Sequence, residues 1–192
     1  LTGATSAAFD ITPAAASALA FTVQPGTTVA GVAIAPAVQV EVRDALGNRV
    51  TTSTASITMA IGTNPGGSTL GGTATVNAVA GVATFSTLSL NRSGVGYTLS
   101  ASSGGLTSAI SAGFTVNPGA ASALAITTMP ASGQSGALLS PQPAIRLVDA
   151  LGNTVPTTGT IVTAAIASGT GTLGGTRTAS TANGAATLTD LS

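Results

Sequence analysis

Val38-Gln-Val-Glu-Val-Arg-Asp-Ala-Leu-Gly-Asn48 is the stretch whose reading decides the fold class. Val38, Val40 and Val42 alternate with Gln39, Glu41 and Arg43, a period of two that sets β-branched side chains on one face of an extended strand and polar ones on the other. Asp44 to Asn48 then end the strand with turn formers. An Asp closes a side-chain turn onto nearby backbone N–H groups, Gly47 takes positive φ at no steric cost, and Asn48 tolerates positive φ as well.

The same period extends outward on both sides. Leu19, Phe21 and Val23 alternate with Ala20 and Thr22; Ile57, Met59 and Ile61 with Thr58 and Ala60; Tyr97, Leu99 and Ala101 follow, as do Ile110, Ala112, Phe114 and Val116. Between Phe85 and Leu88 the phase slips, which predicts a bulge or bend in the Val82 to Leu90 stretch. With a weaker segment over Thr69 to Val79 this makes about seven short strands, separated by Gly, Pro, Asn or Asp, and no stretch reads as an amphipathic helix. Antiparallel strands with one apolar face each are best satisfied by two sheets packed face to face, so the fold class is all-β, an immunoglobulin-like sandwich, with a closed barrel as the runner-up.

An internal repeat sets the organisation. Pro13-Ala-Ala-Ala-Ser-Ala-Leu-Ala20 returns as Pro118-Gly-Ala-Ala-Ser-Ala-Leu-Ala125, a shift of 105 residues, and Asp44-Ala-Leu-Gly-Asn48 returns as Asp149-Ala-Leu-Gly-Asn153. Beyond Ile61 and Ile166 the shift is 103, pairing Leu70-Gly-Gly-Thr73 with Leu173-Gly-Gly-Thr176 and Gly81 with Gly184. Residues 1–12 align with 106–117 and read as the last strand of a preceding repeat. Residues 13–117 read as one complete unit, and 118–192 as a second that lacks its last strands. A window onto a longer tandem array accounts for this phasing; alternatively, residues 1–12 of one chain complete the open sheet of another by strand complementation. The junctions Thr12-Pro13 and Asn117-Pro118 are short and begin with Pro, which predicts semi-rigid coupling of successive units. In the second unit Val162, Ala164 and Ile166 replace Ile57, Met59 and Ile61, so its core is expected to be thinner.

Composition narrows function by exclusion. The chain of 192 residues has no Cys and no His, its basic residues are all Arg, and its formal net charge is zero. Ser-His-Asp and thiol chemistry, the usual zinc ligands, Lys-based phosphate loops and a basic nucleic-acid footprint are therefore out of reach. A mean hydropathy of +0.53 is high. No apolar run approaches the ~18 residues of a spanning helix, however, so no membrane insertion of this segment is expected. The polar content is hydroxyls rather than ions, and any signal peptide would lie outside this stretch.

Several groups invite a functional reading. Asp44 with Asn48, and Asp149 with Asn153, offer oxygens to Ca²⁺, but one carboxylate per loop falls short of the six to eight oxygens that ion takes, and the local turn explains both. Tyr97, the single tyrosine, follows Gly94 and Gly96 at a strand entrance, where its ring is expected to be buried with the hydroxyl on backbone. The four Phe share the core phase, which leaves no aromatic platform for sugars. Leu70-Gly-Gly72 and Leu173-Gly-Gly175 lack the Lys and helix of a phosphate loop. Asn91-Arg92-Ser93 matches an N-glycosylation triplet. Asp10, Asp44, Asp149 and Asp190 fall at turns or strand ends of different units, not as the converging pair a hydrolase needs. No catalytic, cofactor-binding or metal residue is assigned, and the chain does not read as an enzyme.

Taken in order, A-A-S-A-L-A-F-T-V-Q-P at 15–25, V-x-V-x-V-x-D-A-x-G-N at 38–48, the glycine-rich stretch at 66–75, G-V-A-T-F at 81–85 and G-Y-T-L-x-A at 96–101 resemble the bacterial immunoglobulin-like (Big) repeats of large secreted and surface proteins, including invasin- and intimin-type adhesin stalks. The resemblance covers essentially the whole chain. It implies a structural role in an extracellular array, as an adhesin stalk or a fibre, with no cofactor. Neighbouring repeats and copies of the chain itself would be the partners, and the hydroxyl-rich surface is suited to O-glycans. Isopeptide reinforcement is excluded by the lack of Lys. The alternative is a carbohydrate- or ligand-binding module of a secreted protein. Zero net charge favours assembly over a solvated stalk.

Overall fold

The computed structural model describes residues 3–131 and 133–192, so Leu1 and Thr2 of the N-terminal segment lie outside the described residues. The protein is all-β: its described residues form strands, turns and irregular segments in several small sheets, with no helix. Two compact units divide the chain, Leu1–Val116 and Asn117–Ser192.

The first unit is built on β1 (Ala16–Val23), β2 (Thr28–Val29), β3 (Val38–Asp44), β4 (Ser56–Ile61), β5 (Leu70–Gly71), β6 (Thr75–Asn77), β7 (Val82–Phe85), β8 (Ser89–Leu90), β9 (Gly94–Tyr97), β10 (Leu99–Ser102), β11 (Ala109–Ile110) and β12 (Phe114–Asn117). Its sheets run β1-β3-β7, β11-β10-β4-β6, β2-β12-β9 and β5-β8. The antiparallel β3–β7 register sets Val38 opposite Phe85 and Val40 opposite Ala83. β10 sets Leu99 opposite Ile61 and Ala101 opposite Met59. Val38, Val40 and Val42 are fully buried, as their spacing predicts, and meet Ile57, Leu99 and Phe114 in one apolar cluster.

The strands are more and shorter than the period alone implies. The stretch around Tyr97 splits at Thr98: β9 pairs with β12, whereas β10 pairs with β4. The last stretch splits likewise. β11 pairs with β10 and β12 with β9, so the phase shifts between them, burying Ser111 and leaving Ile110 71% exposed rather than in the core. Changing sheets requires a bend, and a bend resets which face the next residue presents. The slip between Phe85 and Leu88 has the same effect: residues 86–88 leave the strand, and Phe85, Leu88 and Leu90 are all buried.

The second unit contains β13 (Ala123–Thr128), β14 (Ala144–Val148), β15 (Ile161–Thr163), β16 (Thr178–Ser180) and β17 (Ala185–Thr187), in sheets β13-β14-β17 and β15-β16. These align with β1, β3, β4, β6 and β7. The buried cluster is smaller, formed by Ile145, Val162, Ala186, Leu188 and Leu191. Ile166 is exposed, against the expectation that it replaces Ile61 in the core, because β15 ends at Thr163 and no β10-like strand lies beside it. Phe9 also departs from its expected core position. Residues 3–12 form no strand, and Phe9 and Ile11 are 78% and 87% exposed.

Candidate functional site

The strongest sequence candidates, the two Asp-Ala-Leu-Gly-Asn loops, have nearly the same internal bonding. In the first, Asp44 Oδ1 accepts the N–H groups of Leu46 (3.0 Å) and Asn48 (2.9 Å), while Oδ2 accepts the Asn48 side-chain amide (3.1 Å) and the N–H of Ala14 (3.0 Å). In the second, Asp149 Oδ1 accepts Leu151 N–H (2.9 Å) and Asn153 N–H (2.8 Å), and Oδ2 accepts Gly119 N–H (2.8 Å) and the Asn153 amide (3.0 Å). Gly47 and Gly152 hold φ of 85° and 78°, where a side chain would be strained. Asn48 and Asn153 do not take positive φ; their amides clamp the Asp instead.

Both carboxylates are buried and ringed by N–H donors. The Asn48 amide is the main influence drawing the Asp44 carboxyl below its ordinary range; burial opposes it, and the N–H groups of Ala14, Asn48 and Leu46 reinforce it. At Asp149 burial is the largest single effect and pushes upward, but Asn153, Gly119 and Leu151 together outweigh it, so this carboxyl also lies low. The physical consequence is structural: each Asp ties a turn to the residue that leads into its unit, Ala14 or Gly119. With lone pairs committed to N–H donors, neither carboxylate faces the shell of oxygens that calcium takes.

The remaining candidates are equally local. Tyr97 is fully buried, donates its hydroxyl to Arg92 O at 2.8 Å and packs against Phe114 with ring centroids 6.0 Å apart. Asn91 Oδ1 accepts the N–H of Thr69 at 2.8 Å and bonds the Ser68 hydroxyl at 3.0 Å, so the residue of the glycosylation triplet fastens two loops together. Gly72 and Gly175, in the Leu-Gly-Gly loops, have φ of 90° and 79°, and a side chain at either would run into the backbone of Thr87 or Asp190 respectively.

Sequence reading left Asp190 without a partner. Its Oδ1 accepts Thr176 N–H at 2.9 Å and its Oδ2 accepts the Thr176 hydroxyl at 2.8 Å, and at the aligned place in the first unit Thr87 Oγ1 accepts Thr73 N–H at 2.9 Å. The available signal was one polar residue replacing another at the 103-residue shift. Asp10 lies in the exposed N-terminal segment. Among the described residues no three His, Cys, Asp or Glu side chains gather.

An open apolar concavity lies within the second unit. It measures about 540 Å³ and is lined by Leu124, Ile126, Leu139, Ile145, Val162 and Leu191, among others. Compared with known proteins, the chain matches no family model and no curated relative.

Proposed function

We propose that the chain is a structural segment of a bacterial surface protein, two immunoglobulin-like sandwich repeats in tandem that act in the extracellular space as part of a stalk or fibre. The observation that carries this reading is the recurrence of one bonding scheme at one spacing: Asp44 with Asn48 and Ala14, then Asp149 with Asn153 and Gly119. Polar residues that sequence reading weighed for chemistry are used to hold turns, which is the economy of a spacer. The charge-poor, hydroxyl-rich surface suits lateral contact between copies, or O-linked sugars.

The binding-module alternative requires an aromatic or acidic platform in the loops. Tyr97, Phe85 and Phe114 are buried, and the loop aspartates are engaged by their own backbone, so that reading has less to stand on. Electron microscopy of the native protein tests the proposal. Fibres with an axial repeat of one or two units, or beaded chains of them, are the expected images; isolated globules that bind glycans saturably on an array would replace it with the binding module.

A further inference from the structure

We infer that Asn183-Gly184 is a site of spontaneous deamidation that the native hairpin holds shut, so that unfolding of the second unit leaves a permanent chemical mark on the chain. Of the Asn residues in the sequence, only Asn183 precedes Gly. That pairing is the most open to attack, because glycine sets no side chain beside the attacking nitrogen. The reaction needs only water. The main-chain nitrogen of Gly184 gives its proton to hydroxide and attacks Cγ of Asn183; a five-membered imide closes as the Cγ–Nδ2 bond breaks, and ammonia leaves with a proton from water. A second water then opens the imide. Attack at Cγ gives aspartate, and attack at the main-chain carbonyl gives isoaspartate, whose main chain is one carbon longer.

The hairpin between β16 and β17 withholds the first step. Asn183 and Gly184 are its two central residues, with φ of 49° and 76°, and Ala182 and Ala185 close it through reciprocal N–H···O bonds of 2.8 and 3.0 Å. Such a turn fits the twist of the paired strands. A left-handed residue has ψ of about +30 to +60°, which swings the next nitrogen away from Cβ, whereas ring closure needs the two eclipsed. The nitrogen is committed as well. Gly184 N–H donates to Thr157 O at 3.0 Å, and Gly184 O accepts Leu147 N–H at 2.8 Å. Gly184 is buried so closely against Val155 O that a Cβ would collide with it, and Asn183 N–H donates to Thr158 Oγ1 at 3.1 Å. Asn183 itself is exposed, so water reaches the residue while the geometry keeps the nucleophile away.

The first unit carries the same turn without the amide. Ala80 and Gly81 hold φ of 49° and 77°, Gly81 N–H donates to Ser53 O at 3.2 Å, and Gly81 O accepts Val42 N–H at 2.9 Å. The closed geometry therefore belongs to the repeat, and the reactive amide to the second unit alone. Opening of that unit releases Gly184 from Thr157 and Leu147 and frees ψ of Asn183 to turn. Once isoaspartate forms, a two-residue turn with an extra main-chain carbon cannot remake both Ala182–Ala185 bonds, and unfolding becomes irreversible.

Peptide mass spectrometry of the full chain, aged at mildly alkaline pH in buffer and in guanidinium chloride that unfolds both units by circular dichroism, reads the conversion of amide to acid at Asn183. Conversion should be at least about tenfold faster in the denaturant, because in buffer it waits on the open fraction. Asn183→Ala, which sets the first unit's own residue in the turn, should abolish the mark and refold fully after ageing in denaturant, whereas the unaltered chain should lose refolding yield as isoaspartate accumulates. Ala80→Asn places a second Asn-Gly in the other hairpin and should likewise convert in denaturant and be slowed in buffer. Equal rates at Asn183 in buffer and denaturant would overturn the closed geometry, no conversion in denaturant would overturn the site, and full refolding of isoaspartate-bearing chains would overturn the permanent consequence.

Discussion

Asp44 receives Asn48 twice, through the main-chain N–H at 2.9 Å and the side-chain amide at 3.1 Å, and in doing so closes the turn that follows β3. Because Oδ2 also takes Ala14 N–H, the same carboxylate fixes the start of β1 against the end of β3. Asp149 repeats the arrangement with Asn153 and Gly119. Both are therefore acid-sensitive fasteners. Their folded pKa values lie below the ordinary 3.8. The stability they contribute is complete above the unfolded carboxyl value and is lost as pH falls through the lower folded value. Thermal midpoints should hold steady from neutrality to about pH 5 and decline below about pH 4. The Asp44→Asn, Asp149→Asn double variant should be less stable at neutral pH and show a shallower acid decline; an unchanged acid slope would remove these two groups as the cause.

The same bonds predict indifference to calcium. Each carboxylate oxygen already accepts at least two N–H groups, so a cation would have to displace donors that hold the turn. A ligand that binds only the folded state raises the melting temperature by mass action. Neither added Ca²⁺ nor a chelator should therefore move it for this chain. A rise in melting temperature that saturates with Ca²⁺ would contradict this account of the loops.

Tyr97 offers a test of the first unit's interior. Tyr97→Phe keeps the ring and its contact with Phe114 but removes the bond to Arg92 O, so chemical denaturation should show a loss of about 1 kcal/mol. Tyr97→Ala also empties the ring's volume from a fully buried site and should cost about 3–5 kcal/mol, by analogy with other large aromatic truncations. Equal losses for the two variants would mean that the hydroxyl bond, rather than ring packing, dominates.

Alternation and turn chemistry made the strands legible wherever both sides of a strand are covered within its own unit, as in Val38 to Val42 with its Asp44 turn. Alternation names a face; it does not say where a strand leaves one sheet for another. Ile110 was misplaced for that reason, since the bend between β11 and β12 shifts the phase and turns Ser111 inward instead. Phe9 and Ile166 failed differently. Their pattern is that of core residues, but residues 3–12 form no strand and β15 ends three residues before Ile166, so no sheet turns either side chain onto a core. The Asp and Asn of the loops were readable as turn formers, whereas their reach to Ala14 and Gly119, thirty residues away, was not, because a contact across the fold leaves no local spacing.

Met59 and Ala164 occupy aligned positions in different surroundings, which predicts opposite responses to substitution. Met59 is 2% exposed, faces Ala101 across the β4–β10 pair and belongs to the filled core. Met59→Ala should therefore open a cavity in the first unit and cost about 2–5 kcal/mol. Ala164 lines the open groove of the second unit, where a longer side chain has space to lie along apolar neighbours rather than force them apart. Ala164→Met should leave stability unchanged or slightly raised, where the same enlargement in a closed core costs about 1–3 kcal/mol. Denaturant unfolding, with hydrogen exchange to assign each transition to its unit, checks both substitutions. If Ala164→Met destabilised the second unit as much as Met59→Ala does the first, the groove would already be filled by its own walls in solution.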